Sequence, residues 1–286
     1  MNAGWIVDQY MLDLAAERGC GSIAEAVLRA GMDVHVVTSE GHMSREIELP
    51  AWDGRCVVLY GSFRFVRRVE RQLKAACRPP LLPGAFARVE NLSYSTFGAH
   101  LGDILLNDDF VILPFGEFRR RRTRGWGGRC FLRPDAVTKS FAGMVVAEAD
   151  FEHEMNSLEK LQHVMPEDLV VAASARDIRR ETRFVIVDGE VVSGSTYGWN
   201  GNGDIGQPID EESFALARDV AARGWQPDRA YTCDVALVED AGELKARLIE
   251  LNSFSCAGLY ACDLDRVVTA VSAAAQDEWE QCGGVV

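Results

Sequence analysis

The sequence has no apolar run long enough to cross a bilayer, so no membrane-spanning helix is expected. Its first stretch, Met1 to Gly19, carries acidic residues and no basic segment ahead of an apolar one, so a secretory leader is not expected either. A cytoplasmic protein is the expectation. The eight cysteines (Cys20, Cys56, Cys77, Cys130, Cys233, Cys256, Cys262 and Cys282) are scattered and form no C-x-x-C pair. That argues against a zinc site and against a disulfide framework in a chain this long. The histidines His35, His42, His100, His153 and His163 show neither ligand nor triad spacing. The glycine-rich stretch from Gly198 to Gly206 lacks G-K-[ST] and is not a P-loop. It reads as a surface loop or as a substrate-facing flap, with Tyr197 and Trp199 offering a stacking surface. No internal repeat and no low-complexity tract is present.

In bulk the chain is ordinary. It has 286 residues and is 48% apolar, enough for one large domain or two modest ones with a real core. The formal net charge is −13, which opposes a broad grip on nucleic acid. Against that background Arg119, Arg120, Arg121, Arg122, Arg124 and Arg129 fall together. Such a run reads as a solvated face, or as a loop facing phosphates or an acidic substrate.

The first part alternates short strands and helices. Trp5–Val7, Val34–Val37 and Cys56–Tyr60 read as strands. Ser22–Ala30 and Phe63–Cys77 read as helices, giving a small β-α-β unit. Prolines 79, 80 and 83 break the pattern. From about Asn107 the chain runs through Phe110–Leu113, the strand Cys130–Pro134, a helix over 150–162 and the strand Leu169–Ala172.

Two hairpins follow. In the first, Asp188-Gly189 joins Thr182–Val187 to Glu190–Ser195, the strongest short hairpin signal. A plain two-residue turn sets Val187 opposite Glu190 and Arg183 opposite Gly194. Glu181 and Arg183 then share one face, with Ser193, Ser195 and Tyr197 on the other unless a bulge intervenes. The second joins Tyr231–Val238 to Leu244–Asn252. A turn centred on Ala241 sets Asp234 opposite Leu248, with Glu250 diagonal to it and Asn252 two residues beyond. Three oxygen-bearing side chains converge. Buried carboxylates are costly unless paired or metal-bound, and these donors suit magnesium. Read by spacing alone, they also suit a half-exposed sheet.

Several motifs resemble the ATP-grasp superfamily. Ile249-Glu250-Leu251-Asn252 resembles its E-x-N segment, and Asp234 the acidic residue that completes its magnesium site. Glu181-x-Arg183, followed by Asp188-Gly189, is similar to its E-x-R strand and D-G hairpin. Phe131-Leu132-Arg133-Pro134, with Lys139 and Gly143, is similar to the strand and loop that cover the ATP phosphates. The resemblance covers roughly residues 107–270, and 1–106 is similar to the small domain that precedes ATP-grasp. It is nearest to bacterial and phage families long known as domains of unknown function, which use arginine where better-known members use lysine.

The resemblance implies an α+β ATP-grasp fold at 107–286, two subdomains clasping ATP, preceded by a βαβ domain at 1–106. It implies ATP and Mg2+ as cofactors, with Asp234, Glu250 and Asn252 as metal ligands. Arg133, Lys139, Glu181 and Arg183 would contact the nucleotide, and Val171, Ala172 and Ala173 would offer backbone to adenine. Arg183 and Lys139 would be catalytic. The sequence departs from the family pattern at Thr232, where carboxylate–amine ligases often carry an arginine, and at Arg133, which replaces a lysine. The implied activity is an ATP-dependent ligase acting on a small-molecule or peptide carboxylate; a second copy of the chain, as a homodimer, is a candidate partner. The alternatives are an ATP-grasp ligase in nucleic-acid end repair and a non-catalytic nucleotide-binding module.

Overall fold

The computed structural model describes residues 3–38, 46–52, 54–75, 86–138, 140–199, 203–240 and 242–282. Lys139 lies outside them, as do Asn200 to Asn202 of the glycine-rich stretch.

The chain starts with β1 (Gly4–Asp8), α1 (Gln9–Glu17), α2 (Ile23–Arg29), β2 (Asp33–Val37), β3 (Val57–Tyr60) and α3 (Phe63–Ala75). The strands form a parallel sheet in the order β2-β1-β3. All five residues of β1 are buried, as befits a parallel strand covered on both faces. Asp8 ends the strand and caps α1, its carboxylate accepting from the Tyr10 and Ser62 amides.

Residues 86–106 leave this sheet. They include α4 (Tyr94–Leu101), whose Tyr94, Phe97 and Leu101 pack with Phe184, Val235 and Leu248. The segment before the expected boundary at 106/107 thus shares its core with residues beyond it.

Next come β4 (Val111–Pro114), α5 (Phe115–Arg121), β5 (Arg129–Pro134), β6 (Met144–Ala147), α6 (Phe151–Leu161) and β7 (Leu169–Ser174). Their strands form an antiparallel sheet ordered β4-β7-β5-β6. Phe115, Phe118, Phe151, Met155 and Leu158 bury it from the helical side.

The last part holds β8 (Ile178–Val187), β9 (Glu190–Trp199), α7 (Glu211–Ala222), β10 (Ala230–Asp240), β11 (Glu243–Ser253) and α8 (Leu264–Gln281). The sheet is antiparallel in the order β11-β10-β8-β9. Asp210 caps α7 by accepting from Ser213 N. α7 covers one face, over Phe184, Ile186, Tyr231 and Cys233. On the other face, Val267, Val271 and Ala275 of α8 join Val185 and Val187 to Trp5 and Val58 of the first sheet. Each such buried side chain contributes about 2 kcal/mol, so α8 binds the two sheets firmly. The whole is an α+β fold. Among the described residues no helix is long and apolar enough to cross a membrane.

Both hairpins carry bulges that a regular ladder does not anticipate. At the first turn Asp188 and Gly189 have φ of +48° and +78°, as an Asp-Gly turn requires, and Val187 faces Glu190. A bulge at Val192 then moves Ser195, not Gly194, opposite Arg183. Ser195 and Arg183 therefore share a face, against the expectation of opposite faces. A second bulge makes Tyr197 an extra residue between Thr196 and Gly198. In the other hairpin a bulge at Ile249 sets Asp234 opposite Glu250, and Val235 takes Leu248.

Candidate functional site

The bulge at Ile249 lines up Arg183, Asp234 and Glu250 across the neighbouring strands β8, β10 and β11. This row lies on the α8 side of the sheet, where the apolar cover gives out. Asp234 is 1% exposed, and a carboxylate so buried needs a partner. Arg183 supplies it. Its Nε donates to Oδ1 at 2.7 Å and its Nη2 to Oδ2 at 2.6 Å, while Nη1 donates to the Gly258 carbonyl at 2.9 Å. Burial disfavours the guanidinium charge, but Asp234 holds its pKa well above the ordinary value.

The Tyr197 and Tyr260 rings stack at 4.8 Å, with the Arg183 guanidinium 5.6 and 5.2 Å from their centroids. The Ser193 and Ser195 hydroxyls accept from Asp263 N and Ala261 N, fixing the segment that carries Gly258 and Tyr260. Tyr260 has φ of +51°, a conformation this anchored segment holds for a bulky residue.

Glu250 is paired from the other side. Arg133, on β5 of the middle sheet, places Nη1 2.8 Å from its Oε2 and lies over the Tyr94 ring. Asn252 ties the carboxylates together, its Nδ2 lying 3.2 Å from Asp234 Oδ2 and 3.0 Å from Glu250 Oε1. Asp234, Glu250 and Asn252 thus meet at one point. Among the described residues no group of three or more His, Cys, Asp or Glu forms a metal site. Here the third donor is an amide. Two carboxylates and an amide whose Oδ1 reaches the same point by a side-chain flip make an all-oxygen set that fits magnesium. Glu181 stands nearby with its pKa raised by burial, opposed by a hydrogen bond from Tyr197.

The cluster lies between two cavities. The larger, about 890 Å³, is bounded by Phe131, Arg133, Met144, Arg176, Glu181 and Glu250 among others. It lies between the two antiparallel sheets. The bulge lets Ile249 as well as Glu250 face it. The smaller, about 520 Å³, is bounded by Phe63, Val137, Thr138, Arg183, Asn252 and Gly258 among others. Gly143 is on the wall of the larger one, and a Cβ there would lie 2.8 Å from the Phe131 ring and force it to shift.

Of the residues expected at a site, Arg133, Glu181, Arg183, Asp234, Glu250 and Asn252 come together. Val171, Ala172 and Ala173 do not. Val171 and Ala172 lie between β4 and β5, Ala173 is paired with β5, and all three residues are fully buried. At this level the cavity wall comes from Arg176 and Ile178, where the chain passes from β7 to β8. Thr232 is also fully buried, and its hydroxyl has no partner among the described residues. Among the described residues that line the smaller cavity, Arg183 is the basic one. Residue order carries no sign of the Gly258 carbonyl or of Tyr260 as a clamp, because both depend on the two bulges of β9.

Residues 115–271 match the model of an ATP-grasp domain family, the third family of its clade. No curated protein matches the chain. Solved structures share the fold over nearly the whole length. The D-cycloserine synthetase DcsG is 14% identical, with TM-score 0.60, over 96% of this chain and 100% of that one. An ATP-grasp RimK domain protein from Sphaerobacter thermophilus DSM 20745 is 14% identical, with TM-score 0.59, over 97% and 98%. The ATP-grasp ligase PsnB, complexed with a minimal precursor, Mg and ADP, is 15% identical, with TM-score 0.53, over 96% and 97%.

Proposed function

The chain belongs to this ATP-grasp domain family, and from that premise we propose that it is an ATP-dependent ligase. It activates a substrate carboxylate as an acyl phosphate, which an amine or similar nucleophile then attacks. One observation carries this reading: three oxygen donors and two buried arginines meet between a large cavity and a small one.

The nucleotide occupies the larger cavity, with Glu181 and Arg176 at its wall. Asp234, Glu250 and Asn252 would hold magnesium, which when bound would neutralise charge on the transferring phosphoryl group. Arg133 turns from Glu250 towards the phosphates, where its planar fork suits two oxygens. Lys139 contacts the same phosphates. Arg183 keeps its hold on Asp234 and offers its remaining N–H groups to the acceptor carboxylate in the smaller cavity. A carboxylate oxygen attacks the γ-phosphorus, the bond to the bridging oxygen breaks and ADP leaves. The nucleophile then attacks the acyl carbon, sheds a proton, and phosphate departs.

Five of the six arginines of the 119–129 run, all but Arg124, are paired with carboxylates among the described residues, which lends nucleic-acid end repair little support. Arg119 pairs with Glu152 and Glu159, Arg120 and Arg121 with Glu117, Arg122 with Glu148 and Glu152, and Arg129 with Asp177. The retained Asp234, Glu250 and Asn252 likewise oppose a decayed module. ADP and phosphate release, measured over pools of amino acids and peptides, tests the proposal. Release that needs a carboxylate acceptor supports it. Formation of AMP, or release indifferent to any carboxylate, refutes it.

A further inference from the structure

α3 begins at the smaller cavity, where its first residue, Phe63, forms part of the wall. One face of the helix is apolar: Phe65, Val66, Val69 and Leu73 are buried against the first sheet. The opposite face exposes Arg64, Arg67 and Arg71, spaced i, i+3 and i+7 and so aligned along the helix. The stripe is about 10 Å long at 1.5 Å per residue. The acid facing it from its own helix is Glu70, 3.7 Å from Arg67. Arg71 also donates to the Arg67 carbonyl, which sets its stem along the helix. At the near end Cys256 lines the cavity and packs against the same apolar cluster that α3 covers. A basic stripe therefore leads to the mouth of the cavity that holds Arg183, in a chain whose net charge is −13.

We propose that the acceptor is an acidic peptide, docked along the arginine stripe of α3 with one of its carboxylates in the smaller cavity. The inference rests on the reading of that cavity as the acceptor pocket. An extended peptide rises about 3.3 Å per residue, so its same-side residues recur every ~7 Å. Two acidic side chains at i and i+2 match Arg67 and Arg71, about 6 Å apart along the helix, while a third reaches towards Arg64 and the cavity. Carboxylates elsewhere on this acidic surface repel such a ligand, so the stripe also fixes where it lands. Nucleic acid fits less well. Its affinity grows with the number of phosphates neutralised, and three arginines on one short helix neutralise few.

The test uses a terminally blocked peptide of alternating Glu and Ala, its Gln counterpart and free glutamate, with the full chain and Mg-ATP. The acidic peptide is expected to have a KM about tenfold or more below that of glutamate, with the Gln peptide inactive. In the Arg64→Glu/Arg71→Glu variant, the peptide KM rises about tenfold and the glutamate KM stays unchanged. The Arg64→Lys/Arg71→Lys variant retains peptide use, which separates lost charge from lost folding. Fluorescence anisotropy of the labelled peptide without ATP reads docking alone. If no carboxylate elicits ADP release but the peptide still binds through α3, the ligase reading fails and docking stands. If glutamate is used and the α3 variants treat the peptide as wild type does, docking is wrong and the ligase reading stands. Single-stranded RNA that displaces the peptide from the same arginines, binding more tightly than the peptide itself, also overturns it.

Discussion

Two helices concentrate arginine, and the fold treats them oppositely. At the end of α5, Arg119 and Arg122 reach across to Glu148, Glu152 and Glu159 on and before α6, and Arg122 lies 4.5 Å over the Phe151 ring. Arg120 and Arg121 share Glu117 within their own helix. Those charges tie one helix to another. On α3 the exposed arginines meet one carboxylate among the described residues, at 3.7 Å, and open towards a cavity. The denser run in the sequence is the structural one. What decides the role of an arginine is how many carboxylates the fold brings to it.

Substitution can tell the two kinds of arginine apart. The largest effect is expected at the buried arginine that has both a structural partner and a cavity. Arg183→Ala leaves Asp234 buried without its cation, which costs about 3–5 kcal/mol on chemical denaturation and removes ADP release. Arg183→Lys recovers part of the stability, because one ammonium cannot reproduce the bidentate pair.

The charge-reversed α3 stripe comes next. Its roughly tenfold rise in peptide KM should fade as salt rises, because exposed charges are screened within about 8–10 Å at physiological ionic strength. Arg122→Ala in the α5 network is expected to lower the melting temperature slightly and to leave the KM for ATP and acceptor unchanged. A loss of acceptor affinity there would erase the distinction between the helices.

A pH-dependent effect concerns a carboxylate that one exposed arginine only partly compensates. Asp228 is buried and its pKa is pushed up to about 6, although the Arg88 and Arg229 amides donate to it and Arg88 Nε lies 3.6 Å away. A folded-state pKa above the ordinary carboxylate value means the folded chain binds the proton more tightly. Its stabilising contribution is complete below about pH 4, the ordinary carboxylate range, and is lost as pH rises through about 6. Melting temperatures of wild type and Asp228→Asn should therefore diverge between about pH 4 and 7, in favour of the variant at the upper end.

Much of this molecule is legible in residue order, because it rests on local rules. The Asp-Gly turn, the helix that begins at Ser22, and the apolar strands β1 and β3 announce themselves. The E-x-R and E-x-N spacing also singles out side chains that the fold brings side by side. Register was not legible. One extra residue in a strand turns neighbours to the other face, and nothing local in Val192 or Ile249 signals a bulge. The position of β7 in its sheet is illegible for another reason. Val171, Ala172 and Ala173 look like any apolar strand, and whether such a strand is interior or at an edge depends on partners far away in the chain. α8 and the pairing of the Arg119–Arg129 run are likewise tertiary facts.

The proposed chemistry depends above all on Asp234, Glu250 and Asn252 holding the metal that accompanies the nucleotide. Calorimetric titration of a non-hydrolysable ATP analogue, with and without magnesium, into wild type and Asn252→Ala is the decisive experiment. The expected result is a magnesium-dependent gain in affinity for wild type that the variant largely loses, while its metal-free affinity is kept. An equal magnesium dependence in both proteins would contradict the assignment.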